Sequence, residues 1–247
     1  MKEFENKVIV LSGSASGIGA STVKLFISEG AKVIGVDLAS SEKTAEEVKH
    51  ELGSFDSIEG DVSKEATWES VAKLAEKKGG ADVLINIAGY SMLEDNAETL
   101  SVELWDKLMD VNLKGSWLSA KHLLPQLKQK ERAAIVNTSS ATGIIGVPNH
   151  AAYSMSKGGL NALTRQLAVD YAKYNVRVNA IAPGPVRTPM MSTNTKEAMA
   201  EIVNAVPLKR IAEPEEIAAI LRFLASKAAS SITGVILPVE GGMSIAM

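Results

Sequence analysis

Seven short runs of aliphatic and β-branched residues recur along the chain and alternate with longer stretches of helical periodicity. The runs lie at residues 7–12, 32–37, 55–59, 81–87, 133–138, 176–182 and 235–239. Several are apolar at consecutive positions, such as Val-Ile-Val-Leu at 8–11, where a half-exposed strand would alternate. Continuous apolar runs are typical of parallel strands that helices cover on both faces. The pattern therefore predicts a seven-stranded parallel sheet between two layers of helices.

Helical periodicity fills the stretches between these runs. Leu160, Leu163 and Leu167 are spaced to form one apolar stripe. Pro214 precedes two glutamates, which indicates a first helical turn, where proline loses no hydrogen bond and acids suit the helix dipole. No linker, low-complexity stretch or repeat interrupts the series. We therefore predict one doubly wound, Rossmann-type α/β domain over residues 1–247, with ligands at the carboxyl ends of the strands.

Composition excludes several classes of protein and site. The formal net charge is −3, and no basic run offers a footprint for nucleic acid or acidic lipid. The chain has no cysteine, which excludes disulfides, thiolate metal ligands and cysteine nucleophiles. Its three histidines, His50, His122 and His150, are too scattered to suggest a metal cluster. We expect no metal, and a small molecule as the partner.

Two further features concern location. The longest uncharged tract, residues 133–156, contains polar side chains throughout, so we do not expect it to span a membrane. The chain begins with charged residues that lead directly into the first strand, without the features of a targeting segment. The expected location is the cytoplasm.

A glycine-rich segment follows the first strand. Residues 12–19 read Ser-Gly-Ser-Ala-Ser-Gly-Ile-Gly and lead into a helix. Glycine lets the backbone turn sharply and approach a ligand closely, and a helix N-terminus offers free N–H groups to an anion. The spacing differs from the commoner Gly-x-Gly-x-x-Gly fingerprint, and alone it fits a tight turn equally well. Between a first strand and a first helix it predicts a dinucleotide site.

One acid at the end of the second strand bears on the choice of cofactor. Asp37 lies 18 residues after Gly19, where a carboxylate is expected to bind the adenosine ribose hydroxyls. Residues 14–16 and 38–41 contain no lysine or arginine that would bind a 2′-phosphate. The sequence therefore predicts NAD rather than NADP.

The uncharged tract contains Ser139, Ser140 and Tyr153, and Lys157 ends it. A four-residue step on a helix places the Tyr153 phenol and the Lys157 ammonium on one face. Tyrosine titrates near 10, so a tyrosine that acts as a base at neutral pH needs a lowered pKa. A cation about 4–5 Å away stabilises the phenolate by roughly the required 3–4 kcal/mol at an effective dielectric near 20. By itself, such a pair also arises by chance.

Together these segments resemble the short-chain dehydrogenase/reductase family over nearly the whole chain. Ser140 rather than Ser139 matches the family's serine, because it stands 13 residues before Tyr153. The other matching motifs are the turn at 12–19, Asp61-Val62, Asn86-Ile87-Ala88-Gly89, Asn112, Tyr153-x-x-x-Lys157, Pro183-Gly184-x-Val186-x-Thr188, Pro207-Leu208-x-Arg210, Pro214-Glu215-Glu216-Ile217-Ala218, Ile232-Thr233-Gly234 and Gly241-Gly242.

The resemblance implies four catalytic residues. Tyr153 would transfer the hydroxyl proton, and Lys157 would lower the pKa of Tyr153 and hold the nicotinamide ribose. Ser140 would hydrogen-bond the substrate oxygen as charge develops on it. Asn112 would position a water that links Lys157 to solvent.

The resemblance also implies a set of cofactor contacts at the carboxyl edge of the sheet. Gly17 would permit close helix packing, and Tyr153 and Lys157 would border the nicotinamide ribose. The others are Gly13, Ser16, Ile18 and Gly19 along ribose and pyrophosphate, Asp37 at the adenosine ribose, Asp61 and Val62 at the adenine, Asn86, Ala88 and Gly89 beneath that ribose, and Pro183, Gly184, Val186 and Thr188 around the nicotinamide.

Four positions depart from the family pattern. Ser12 stands where threonine is usual, Ile87 where a second asparagine is usual, Ala212 where glycine is usual and Glu240 where aspartate is usual. Serine keeps the hydroxyl and glutamate keeps the charge. Ile87 removes an amide that often braces neighbouring strands, and Ala212 has no functional interpretation.

The resemblance implies an NAD(H)-dependent enzyme that interconverts a secondary alcohol and a ketone, with a small alcohol, sugar or polyol as substrate. One alternative is a reductase of 3-oxoacyl groups on a carrier protein, for which the glycine turn lacks the expected basic residues. Another is a non-catalytic NAD-binding protein, which would tend to lose the reactive residues. Two other classes of the superfamily fit less well. Enoyl reductases place seven positions between the tyrosine and the lysine, whereas Lys157 follows Tyr153 by four. Sugar-nucleotide epimerases carry a longer C-terminal substrate domain.

Substrate walls are expected at residues 90–95 and 142–150, where Asn149 and His150 are a polar loop tip or substrate contacts. A lid is expected over about 189–212. Two long helices, at about 101–129 and 152–173, carry more apolar residues than one stripe needs, namely Trp105, Leu108, Trp117 and Leu118. Such helices pair across a two-fold axis in the family, and the 243–247 tail often lies at another contact. We predict a homotetramer, with a dimer as the alternative.

Overall fold

Seven parallel strands form one sheet in the computed structural model, which describes residues 2–92, 95–192 and 195–246. Their order is β3-β2-β1-β4-β5-β6-β7. The strands are β1 Val8–Ser12, β2 Lys32–Asp37, β3 Ser54–Glu59, β4 Val83–Asn86, β5 Ala133–Thr138, β6 Val176–Pro183 and β7 Ile236–Val239. The predicted fold class is confirmed. The order reverses between β1 and β4, so the crevice beyond their carboxyl ends is the expected ligand site.

Helices connect the strands and cover both faces of the sheet. They are α1 Gly17–Ser28, α2 Glu42–Val48, α3 Glu65–Lys77, α4 Val102–Met109, α5 Gly115–Leu127, α6 Ala151–Tyr171, α7 Lys196–Ala205, α8 Pro214–Ala225 and α9 Met243–Ala246. The predicted first turn at Pro214 is confirmed, and the Glu213 and Glu216 side chains cap it reciprocally. In the described part of the chain, no helix has the length and apolarity that crossing a lipid bilayer requires.

Two hydrophobic clusters lie on opposite faces of the sheet, and β1 contributes to both. Val8 and Val10 pack with Trp68 on the face that α3, α5 and α6 cover. Ile9 and Leu11 pack on the opposite face, with side chains of α1 and α8. This arrangement explains why the first strand is apolar at consecutive positions.

The long helix predicted at 101–129 is divided. Between α4 and α5 the residues Asp110–Lys114 form a π-helical turn. Its backbone hydrogen bonds join residues five apart, whereas those of an α-helix join residues four apart. Two apolar residues that we assigned to a subunit contact, Leu108 and Leu118, are buried within the chain's own core. Periodicity alone could not separate the two faces of this helix. Trp117, by contrast, is 46% exposed.

Candidate active site

Three of the predicted catalytic residues meet at the carboxyl edge of the sheet. Tyr153 lies in the first turn of α6, Lys157 one turn later, and Ser140 two residues after the end of β5. The Ser140 hydroxyl is the hydrogen-bond partner of the Tyr153 phenol. The Lys157 Nζ lies 5.8 Å from the centroid of the Tyr153 ring.

The hydroxyl of Ser140 has a defined polarity. Its oxygen accepts hydrogen bonds from the backbone N–H of Thr142 at 3.2 Å and from the Thr142 hydroxyl at 3.1 Å. Because both bonds occupy the oxygen as an acceptor, the Ser140 hydrogen is left to donate, towards Tyr153 or a substrate oxygen. Sequence reasoning placed Thr142 only in the substrate wall. The sequence does contain a signal for this role, because Thr142 lies two residues after a serine that follows a strand. The hydroxyl of such a serine often accepts a hydrogen bond from the backbone N–H two residues later.

Lys157 is buried, with 3% of its surface exposed. Its ammonium donates to the main-chain oxygen of Thr138 at 2.8 Å. Burial lowers the pKa of Lys157 to about 8, because desolvation disfavours the charged form. Gly89 faces it closely: a Cβ at this glycine would lie 3.4 Å from Nζ.

The pKa of Tyr153 departs from the expectation drawn from sequence. Burial raises the pKa of Tyr153, and its hydrogen bond with Ser140 opposes that rise only in part. The expected lowering assumed an ammonium directed at the phenol, whereas Lys157 donates to Thr138. It also left out the cost of removing a phenolate from water. The structure thus favours neutral tyrosine.

Asn112 lies in the π-helical turn, and its side chain ties three segments together. The amide nitrogen donates to the Tyr90 carbonyl at 2.9 Å and to the Ser156 hydroxyl at 3.0 Å, and the amide oxygen accepts from the Tyr90 N–H at 2.7 Å. Ser156 in turn donates to the Tyr153 carbonyl at 2.7 Å. Asn112 therefore supports α6 from the loop after β4. Its expected contact with a water stays a prediction.

The glycines of the turn between β1 and α1 let neighbouring segments pack closely against it. Gly13 has a φ of +82°, and a Cβ there would lie 2.8 Å from the backbone nitrogen of Ala88. We assigned close packing to Gly17, but Gly19 has that role, since its Cβ would lie 1.7 Å from the Gly13 oxygen. Gly17 instead faces Thr188, with 3.0 Å between a Cβ and that residue's methyl group.

The start of α1 has the properties of an anion site. Ser16 occupies the N-cap position without a side-chain capping bond, and Gly17, Ile18 and Gly19 form the first turn. Uncapped N–H groups at a helix N-terminus attract a negative charge, and glycine keeps the approach open. These residues therefore fit the pyrophosphate of a dinucleotide.

Asp37 ends β2 beside this turn and is partly exposed. One of its carboxylate oxygens accepts from the Ala15 N–H at 2.9 Å and the other from the Ala39 N–H at 3.0 Å. These bonds fix the carboxylate and leave further lone pairs for ribose hydroxyls. No lysine or arginine in the described ranges forms an ion pair with it.

Asn86 links neighbouring elements through its side chain. Its side chain is buried, donates to the Asn137 amide oxygen at 2.9 Å and accepts from the Ser119 hydroxyl at 2.9 Å. Asn137 continues this chain of bonds to the Thr164 hydroxyl on α6. The Asn86 side chain therefore joins strands and helices, and its expected position beneath the adenosine ribose stays a prediction. This network provides the bracing that the isoleucine at position 87 was expected to weaken.

The other predicted cofactor contacts lie at the same edge. Asp61 and Val62 follow β3, where Asp61 accepts from the Ser63 N–H at 2.8 Å and Val62 from the Trp68 indole at 2.8 Å. Pro183 ends β6, and a Cβ at Gly184 would lie 2.9 Å from Glu240. Val186 and Thr188 follow, and Thr188 donates to the Val186 oxygen at 3.4 Å.

The predicted substrate walls and lid are only partly described. Tyr90 packs under the Lys107 ammonium, 4.0 Å from the ring centroid, and Asp95 is buried at the start of α6. Leu93 and Glu94 of the wall, and residues 193–194 of the lid, lie outside the described residues. Met247 of the tail does as well.

A family model of the short-chain alcohol dehydrogenase type, described as "Enoyl-(Acyl carrier protein) reductase", matches residues 13–244. The chain belongs to the short-chain dehydrogenase/reductase family. It is accordingly an oxidoreductase that acts on CH–OH groups and uses a nicotinamide cofactor.

Relatives of this short-chain dehydrogenase/reductase carry names with different substrates. The 3-oxoacyl-[acyl-carrier-protein] reductase FabG of Thermotoga maritima is 36% identical over 245 residues, which cover 98% of this chain and 99% of the relative. Glucose 1-dehydrogenase 2 of Bacillus subtilis is 35% identical over 250 residues, covering 99% and 97%. A crystal structure of levodione reductase is similar with a TM-score of 0.92 at 33% identity, covering 99% of this chain and 100% of the other.

Two departures from the family pattern keep their chemistry in this short-chain dehydrogenase/reductase. The Ser12 hydroxyl accepts from the N–H groups of Ile87 and Ala88 at 3.2 and 3.3 Å, so a threonine methyl is not required to join β1 to β4. Glu240 accepts from both the N–H and the hydroxyl of Ser244.

Proposed function

We propose that this enzyme interconverts a secondary alcohol and a ketone with NAD(H), and that Tyr153 transfers the hydroxyl proton. The observation that carries the proposal is the group formed by Ser140, Tyr153 and Lys157 beside the glycine turn. A phenol, a hydroxyl donor and a buried cation converge there, and an adjacent crevice fits a dinucleotide. When bound, the nicotinamide supplies or accepts the hydride.

In the direction of reduction, two donors face the substrate oxygen. Ser140 donates to the carbonyl oxygen, because Thr142 occupies its acceptor positions. Tyr153 then gives its proton to the same oxygen as negative charge develops there. Burial favours the neutral phenol, so the acid form is the resting form. The Lys157 ammonium stabilises the phenolate that remains. Oxidation is the reverse and begins with loss of the Tyr153 proton.

His150 supports a substrate with a second polar group. Its Nδ1 is 2.8 Å from the carbonyl oxygen of Pro148, which can only accept, so Nδ1 carries the hydrogen. The tautomer with its single hydrogen on Nδ1 keeps Nε2 as an acceptor. The His150 and Tyr153 ring centroids are 5.9 Å apart, which places this acceptor close to the reacting centre. A hydroxyl beside the reacting carbon, as in a sugar or polyol, would donate to it.

A second candidate is the reduction of 3-oxoacyl groups on a carrier protein. The identity to FabG and the description of the family model favour it. We associate that reaction with the phosphorylated cofactor NADP. Leu38, which is 76% exposed beside the Asp37 carboxylate, is uncharged and offers no cation to a 2′-phosphate. Rates on a panel of sugars, polyols and 3-oxoacyl thioesters, with either cofactor, separate the two.

Cytoplasmic location, a single domain and the lid at 189–212 stay predictions.

The replacement Tyr153→Phe should remove nearly all turnover while the protein folds and binds NAD(H) normally, because only the proton-transferring oxygen is lost. Wild-type oxidation should also rise with pH through and beyond neutrality, since only the phenolate accepts a proton and burial raises the pKa of Tyr153 above its ordinary value. Steady-state rates across pH and a cofactor titration measure both effects. Tyr171→Phe, on the same helix, is the control and should keep wild-type rates. A Tyr153→Phe variant with a tenth of the wild-type rate would show that the assignment is wrong.

NAD should be preferred over NADP by more than tenfold in kcat/KM. A 2′-phosphate about 4 Å from the Asp37 carboxylate costs roughly 4 kcal/mol before salt screening, and about 1.4 kcal/mol corresponds to a factor of ten. Asp37→Ala should narrow the preference for NAD, because it weakens the binding of NAD and removes the repulsion of the NADP 2′-phosphate. Asp56→Ala, which removes a β3 carboxylate paired with Lys78, should leave it unchanged. Equal use of both cofactors by the wild type contradicts this role of Asp37.

The protein should be a homotetramer, with a dimer as the alternative. An apolar groove of about 390 Å³ opens where the π-helical turn meets α4, α5 and α6, and its lining residues are Met109, Asp110, Leu113, Lys114, Trp117 and Leu163. Burying this groove against a second copy removes apolar surface from water. Light scattering at micromolar concentration should give the tetramer mass, and Trp117→Glu should lower it. Leu52→Glu, at an exposed leucine elsewhere, should not. A monomeric wild type would refute the prediction.

A further inference from the structure

A fully buried carboxylate ends the predicted substrate wall at residues 90–95 and contacts the start of α6. Asp95 is 0% exposed and follows β4. Its backbone N–H donates to the Asn149 oxygen at 3.1 Å, and its backbone oxygen accepts from the Ala151 N–H at 2.7 Å. The segment around Asp95 therefore pairs with the loop that leads into α6.

The carboxylate itself binds the first turn of the helix. One oxygen accepts from the Ala152 N–H at 2.9 Å and the other from the Tyr153 N–H at 2.6 Å. The first N–H groups of a helix have no partner within it, and the N-cap residue, His150, makes no side-chain capping bond. Asp95 therefore supplies the acceptors for the first three N–H groups of α6.

The backbone of Tyr153 is consequently held on both sides by side chains. Asp95 binds its N–H, and the Ser156 hydroxyl binds its carbonyl at 2.7 Å. Ser156 is itself held by Asn112. A buried carboxylate is costly unless it is fully hydrogen-bonded, and no ion pair of Asp95 occurs in the described parts of the chain. The short bond to the Tyr153 N–H therefore restrains the backbone from which the phenol extends towards Ser140.

We propose that Asp95 is a positioning residue, whose carboxylate sets the register of the first turn of α6 and so places the Tyr153 phenol against Ser140. The proposal rests on the proposed function, because it takes Tyr153 as the proton-transferring group. Displacement of a reacting group by about 1 Å costs on the order of a hundredfold in rate.

The test compares Asp95→Asn with the wild type. The amide keeps one acceptor but turns its NH₂ towards a backbone N–H, which removes the other bond. We expect kcat to fall by about ten- to a hundredfold, while KM and the dissociation constant for NADH stay within about twofold of wild type. Hydrogen exchange of the peptide that covers residues 150–157 should become faster in the protein without cofactor. Asp95→Ser, which keeps a shorter acceptor, should give an intermediate kcat and serves if the amide variant does not fold.

Asp82→Asn is the matched control. Asp82 is also a buried carboxylate that accepts from a backbone N–H, that of Val8 at 3.0 Å, but it lies at the amino end of the sheet. This variant should be less stable to heat and keep wild-type kcat. If it loses kcat as Asp95→Asn does, a general loss of stability explains both effects and the proposal is overturned.

A double variant separates this proposal from the proposed function. If Asp95 acts through Tyr153, Asp95→Asn should lower kcat no further in a Tyr153→Phe background. An equal loss in both backgrounds, or an unchanged kcat in Asp95→Asn, overturns the positioning role. A Tyr153→Phe enzyme that keeps its activity instead refutes the proposed function itself.

Discussion

The ammonium of Lys157 is buried at the carboxyl edge of the sheet, and the architecture around it follows from the need to hold a cation there. Desolvation lowers the pKa of Lys157 to about 8, so the folded chain carries a charge at neutral pH that solvent would stabilise better. Its described protein partner is the main-chain oxygen of Thr138, a dipole rather than a counter-ion. A cation that is compensated so incompletely can stabilise negative charge that develops nearby.

The neighbouring groups complete this electrostatic arrangement. Ser140, with its acceptor positions filled by Thr142, presents a hydrogen, and burial keeps the Tyr153 phenol protonated. The site therefore offers two hydrogen donors and one cation to an oxygen atom, an environment that suits a carbonyl becoming an alkoxide. Gly13 lets the glycine turn pack against Ala88, and Gly89 lies beside the Lys157 ammonium, so the glycine turn and the proton-transferring group are neighbours.

The sheet and the approximate positions of its strands could be predicted from the sequence, because strands covered on both faces are apolar at consecutive positions. Residues that lie one helical turn apart, such as Tyr153 and Lys157, were also predictable as neighbours. Local spacing could not reveal contacts between distant segments, so the carboxylate of Asp95 at the start of α6 and the burial of the Asn86 side chain were missed. The pKa of Tyr153 depends on desolvation, which only the packed structure shows.

The most direct test replaces the buried cation by a side chain of similar length, Lys157→Met. Because burial of the charge opposes folding below a pH of about 8, the variant should be more stable at neutral pH. The expected gain is about 1–3 kcal/mol after the lost hydrogen bond is discounted, and turnover should be abolished. The gain in stability should shrink as the pH rises from about 8 towards 10. In this range the wild-type lysine loses its proton in the folded state but still holds it in the unfolded state, so the cost of burying the charge disappears. Denaturant unfolding across this range, with activity on the same samples, measures both. A less stable variant, or one that keeps wild-type turnover, would contradict the account.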